Sequence, residues 1–159
     1  MFWIGFIEEA LIKLEPREAD GRVGLLVLGR HEERFPVHFS VWSEQRYVDH
    51  WKDALARTLD GRPAALVTDM WTPAQSDHLI WWPMWRTHRE VVFHNQLVFF
   101  GQHRIKGSQV DVESLYGVIG ERLTHTDEEV PLSEWSVPVS DVETFLAGGS
   151  VPPGPCLPG

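Results

Sequence analysis

The 159-residue chain has a single cysteine, Cys156, set in a Pro- and Gly-rich C-terminal stretch. One thiol closes no intramolecular disulfide, and without a CxxC pair there is no thiolate framework for zinc. Cations are also scarce: 14 Lys and Arg stand against 23 Asp and Glu, a net charge of −9. That balance repels polyanionic backbones and anionic membrane surfaces, so neither nucleic acid nor membrane is expected as a partner, whereas basic partners are attracted. Long apolar runs are missing as well. The N-terminal MFWIGFIEEALIKLE is apolar for seven residues before Glu8 and Glu9. It lacks the basic start of a signal peptide and the length of a membrane span, so a cytoplasmic location is expected. No HExxH, GxSxG, Walker-type or GxGxxG pattern occurs, and with them go the usual metalloprotease, nucleophile and phosphate-binding signatures. No catalytic residue, metal or cofactor is expected.

Eight histidines are present, and His88, His94, His103 and His125 would have to converge in space to bind a metal, because none has ligand spacing. His94-Asn95-Gln96 interrupts an apolar segment, which fits a hydrogen-bonded interior or rim cluster. With 43% hydrophobic residues the chain is long enough for one core, and no charge block or repeat divides it. A single domain over residues 1–148 is expected, followed by a flexible Pro/Gly tail, 149–159.

Val23 to Gly29 is a continuous apolar run, and Phe35, Val37 and Phe39 alternate with polar residues. Two strands joined by a turn at His31-Glu32-Glu33 fit this pattern. From Ser43 the period becomes helical: Tyr47, Trp51, Leu55 and Leu59 recur every four residues, Ser43 caps, and Gly61 follows the last turn, which predicts an amphipathic helix over 44–60. Three further strands follow, one over Pro63–Trp71 and two within 76–100 on either side of a break at Thr87-His88-Arg89, connected by short loops as an antiparallel meander. Val110, Leu115, Tyr116 and Ile119 predict a second, weaker helix. Ser140-Asp141-Val142-Glu143 has capping-box spacing for a third, ending at Gly148-Gly149. The fold class is therefore α+β: an antiparallel meander of five or more strands, one long helix packed on a face, and two shorter helices.

The segment LIWWPMW puts Trp81 and Trp85 on one face of a strand and Trp82 on the other. Exposing all three would present roughly 450–750 Å² of apolar surface, at or above the largest patch of a typical monomer. Burial of one face under the long helix and of the other under the remaining chain is expected; the alternative leaves part of the second face open to a partner. Pro83 cannot donate to a ladder, which calls for an edge position or a bulge there.

The order of motifs FSVWSEQRYVDHWKDAL, LVTDMW, LIWWPMW, EVVFHNQLVF and RLTHTDEEVPLSEWSVPVSDVETFL, spread over about residues 22–147, resembles immunity proteins of bacterial contact-dependent growth inhibition systems, the CdiI group. The matching features are Trp42, Trp51, the Arg122-x-Thr124 segment and Ser133-Glu134-Trp135. The resemblance implies a cytoplasmic antidote, not an enzyme. Such an antidote forms a one-to-one complex with the toxic C-terminal domain of a surface-delivered effector, commonly a nuclease. An acidic inhibitor suits a basic nuclease through steering. For such a partner the expected contact residues are Glu32, Glu33, Asp127, Glu128 and Glu129, as charge concentrated in loops, and Trp71 as an aromatic anchor. A small-ligand or carbohydrate-binding module using the Trp-rich strand is the competing reading.

Overall fold

The computed structural model describes residues 1–8, 20–107 and 109–154. Cys156, the end of the Pro/Gly tail and most of the acidic stretch before Gly21 lie outside the described residues. The chain folds as α+β, with its strands divided between two antiparallel sheets. The first holds β1 (Phe2–Ile7), β2 (Gly21–Leu28) and β3 (His31–His38) in sequence order. The second runs β4 (Ala64–Asp69), β5 (His78–Arg86), β6 (Glu90–Phe93) and β8 (Trp135–Pro138), with β7 (Gln96–Phe99) also paired to β5.

Strand β1 was not legible as such, being a short apolar run ahead of two glutamates. The β2–β3 turn lies at Gly29-Arg30 rather than at His31-Glu32-Glu33, and Gly29, at φ 66°, adopts the left-handed conformation the tight connection needs. Glu32 and Glu33 accordingly belong to strand β3, paired with Val27 and Leu26.

The long helix α1 (Glu44–Leu59) starts where the sequence places it, with the Ser43 hydroxyl accepting the Arg46 amide at 3.2 Å. Its Tyr47, Trp51 and Leu55 are buried in the common core, and the Trp51 ring meets Phe6 and Phe35 of the first sheet. The same helix seals the outer edge of β4. The Val67 amide donates to His50 Nε2 at 2.8 Å, and the Val67 carbonyl accepts Trp51 Nε1 at 2.8 Å. Further along that edge the Ala65 carbonyl accepts the Tyr116 hydroxyl at 3.2 Å. Side chains thus occupy the ladder positions that another strand would otherwise fill. His50 must be neutral to accept that amide, and its burial, with Arg46 adding to the effect, pushes its pKa down to about 3.

Strand β5 carries the tryptophans at the centre of its sheet. Trp82 packs at 5.2 Å from Trp135, on the face the first sheet covers, where Phe2 of β1 also stacks on Phe93 at 5.7 Å. Trp81 faces the opposite layer, 6.1 Å from Tyr116, which follows the short helix α2 (Val112–Leu115). Both indoles are only 1% exposed, so neither Trp81 nor Trp82 offers a stacking platform for a sugar.

Pro83 lies neither at an edge nor at a register shift. Strands β6 and β7 keep one common register against β5, Met84 opposite Phe93 and Trp81 opposite Gln96. The His94 amide donates to the Pro83 carbonyl at 3.1 Å, and the return bond is the one proline cannot make. The 90–99 segment is therefore a single strand whose ladder lapses for one bond. At the C-terminal end, β8 runs directly into α3 (Val139–Leu146), whose N-cap is Pro138 with no side-chain cap bond. Ser140 lies inside the helix and caps nothing. Gly148, at φ 79°, follows its end as expected.

Candidate functional site

Residues 121–131 form an exposed excursion between the core and β8. Within it the chain folds back on itself: the Thr126 amide donates to the Val130 carbonyl at 2.9 Å and the Leu132 amide to the Thr124 carbonyl at 3.0 Å. This puts Asp127 and Glu128 at a turn, with Glu129 at φ 60° closing it. Leu123 and Val130, 63% and 53% exposed, flank the acidic tip.

The base of this loop is fixed by a cluster on the face of β5 that bears Trp85. Glu134 accepts Arg122 Nε at 2.8 Å and His94 Nε2 at 2.8 Å, while its other oxygen takes a second Arg122 nitrogen. His94 is buried against Trp85, ring centroids 4.7 Å apart, and Trp85 Nε1 donates to the Gly120 carbonyl at 3.0 Å. His94-Asn95-Gln96 thus breaks the apolar pattern because His94 holds the carboxylate that orients the loop. Among the described residues no group of three or more His, Cys, Asp or Glu is arranged to hold a metal.

The Arg122 hydrogen bond, followed by that of His94, holds the Glu134 carboxyl at about 2 against an ordinary 4.5. A depressed carboxylate contributes stability that is complete above its unfolded value and is lost as pH falls from 4.5 towards 2. Glu134→Gln should therefore lower the melting temperature at pH 7, and the gap from the parent protein should close between pH 4.5 and pH 2. A gap that stays constant over that range would exclude the ionic brace.

Of the residues expected at the site, Glu32 is exposed and Glu33 half-buried at the start of β3, within reach of Arg34 and His31 at 3.6 Å each. His31 stacks on Trp135 at 4.6 Å, so this acidic pair begins beside the residue that follows Glu134. Trp71 lies elsewhere. Its Nε1 donates to Asp69 at 3.2 Å and its ring sits 5.0 Å from that of His38, the last residue of β3. A strand rises about 3.3 Å per residue, so His31 and His38 are roughly 23 Å apart. The structure gathers Glu32 and Glu33 at the end of β3 that abuts Trp135 and leaves Trp71 at the far end. There Asp69 also accepts the His38 amide at 2.9 Å and contacts its Nδ1 at 2.9 Å. Burial raises the Asp69 carboxyl above the ordinary range, against the opposing pull of those bonds.

A cleft of about 570 Å³ separates α1 from residues 110–116. Two of its cations already lie over rings, Arg46 on Trp42 and Arg57 on Tyr116, both at 5.2 Å, and Asp49, Asp53, Asp111 and Glu113 offset them. Among the described residues no helix is long and apolar enough to cross a membrane.

Two sheets closed on an aromatic core, with a braced acidic loop as the main surface projection, define a small α+β domain whose features point outward rather than into a pocket. The chain belongs to the CdiI N-terminal domain family, whose model matches residues 37–145. It is 23% identical over 137 residues to the immunity protein CdiI of Enterobacter cloacae subsp. cloacae, an alignment covering 84% of this chain and 92% of that protein. The fold is that of a chain in the CdiA-CT/CdiI toxin and immunity complex from Enterobacter cloacae. The TM-score is 0.78 at 21% identity, with 93% of this chain and 97% of that one covered.

Proposed function

We propose that this protein is a cytoplasmic immunity protein that binds the C-terminal toxin domain of its own contact-dependent growth inhibition effector in a one-to-one complex, and that the toxin is a nuclease. The observation that carries this reading is the family match across residues 37–145, supported by a fold shared with a chain of a toxin and immunity complex. The net charge of −9 fits the nuclease assignment, since enzymes acting on polyanions present basic surfaces that an acidic inhibitor finds quickly. Glu32, Glu33, Asp127, Glu128 and Glu129 are the proposed steering residues, and Trp71 is a separate anchor at the opposite end of β3.

Co-expression with the toxin domain encoded beside it provides the test. Cells carrying both should grow, cells carrying the toxin alone should not, and the purified pair should elute at the mass of one copy of each. A folded, toxic domain that neither binds this protein nor is restrained by it would end the immunity reading. A restrained toxin that leaves nucleic acids intact would end the nuclease assignment alone.

A further inference from the structure

The cleft between α1 and residues 110–116 is uneven in charge along its length. Arg46, Asp49, His50, Asp53 and Arg57 all line it from α1, and its two arginines stand roughly 16 Å apart at about 1.5 Å per residue. Each is committed at its own end. Arg46 lies on the Trp42 ring, and Arg57 lies on the Tyr116 ring with its Nε donated to the Pro63 carbonyl at 2.7 Å. Arg62, the third guanidinium of the lining, pairs with Asp60 at 3.4 Å. Asp49 and Asp53 fall between the two ends, one helical turn apart, and Asp111 and Glu113 belong to the opposite wall. Burial raises the Tyr116 hydroxyl above its ordinary pKa, and Glu113 and Asp53 both add to the rise, which brings one carboxylate from each wall near a single ring. Among the described residues none of the four carboxylates pairs with a cation.

The same cleft holds a donor without an acceptor. His50 Nε2 accepts the Val67 amide, so the neutral imidazole carries its proton on Nδ1. His50 lines the cleft, and its Nδ1 meets no acceptor among the described residues. Burial, with Arg46 adding to it, is deep enough to lower the ring's pKa to about 3, and a donor so placed stays costly until an acceptor reaches it.

We propose that this cleft receives a basic segment of the toxin domain, with a Lys or Arg side chain between Asp53 and Glu113 and a main-chain carbonyl on His50 Nδ1. An anion would meet four unpaired carboxylates, and a bare cation would leave the His50 donor unmet. A basic peptide segment brings the carbonyl and the cation together. The proposal rests on the immunity reading and adds to it a concave contact supplied by α1.

The test uses the complex of the full chain with the toxin domain. The nitrogen-15 NMR signal of His50 Nδ1–H, broadened by exchange with water in the free protein, should sharpen and move downfield in the complex. Asp53→Asn combined with Glu113→Gln, both at exposed positions and close in shape to the parent residues, should speed dissociation at least about tenfold. A complex that forms and restrains the toxin while either the His50 signal or the dissociation rate stays unchanged overturns the proposal and leaves the immunity reading standing. A toxin domain that is neither bound nor restrained ends both.

Discussion

Replacing Trp51 by alanine should lower the free energy of unfolding by about 3–5 kcal/mol, the usual cost of deleting a large buried aromatic. The residue is 1% exposed, its ring lies against Phe6, Phe35 and Tyr47, and its Nε1 serves the Val67 carbonyl on the edge of β4. Two losses therefore coincide, a cavity where the two sheets meet the helix and an edge carbonyl stripped of its donor. Trp51→Phe separates them: it retains most of the packing and leaves the carbonyl unpaired, at a cost of about 1–3 kcal/mol. Against a typical total of about 5–15 kcal/mol the alanine variant should lose a large share of its stability. Urea denaturation of the three proteins is the measurement, and an unchanged midpoint for Trp51→Ala would mean that α1 does not pack as described.

Reversing Glu32, Asp127, Glu128 and Glu129 to lysine should slow association with the toxin domain by about 10- to 1,000-fold at low salt and leave dissociation little changed. The four reversals bring the net charge from −9 to −1 and touch exposed side chains outside the core. Glu33 is left alone, since it is half-buried in β3 beside His31. Stopped-flow mixing across a salt series reads both quantities. If the association rate and its salt dependence do not change, steering comes from another surface; a faster dissociation would make these residues contacts within the interface rather than its rim.

The long helix was legible because its signals are local: the Tyr47/Trp51/Leu55 stripe, the Ser43 cap and the glycine beyond agree with one another. Strand β3 was read three positions late because its first inward-leaning residues, His31 and Glu33, are polar and mask the alternation that Phe35 and Val37 make visible. The proline at 83 signalled an interruption correctly but not its kind, since a missing donor inside an unbroken register looks in one dimension like a bulge. Ser140 has the spacing of a cap, yet β8 enters α3 without a turn, so the cap position falls on Pro138. The division into two sheets depends on which strands meet across long separations, and no local period encodes it. The same holds for the loop brace. His94 and Glu134 are 40 residues apart, and their pairing shows in the sequence only as one polar residue in an apolar strand and one acid beside Trp135.

The sealing of β4 by α1 also bears on how the chain is made. Helix α1 ends at Leu59 and β4 begins at Ala64, so during synthesis the cover leaves the ribosome just ahead of the edge it protects. His50 and Trp51 can reach Val67 across a short span of chain, before β5 has arrived to pair with the other side of β4. An apolar strand is most hazardous while its backbone groups are unclaimed by neighbours. Here one row is claimed by residues already in place, and the nascent protein reaches its most aromatic strand with one flank of the sheet closed to stray chains.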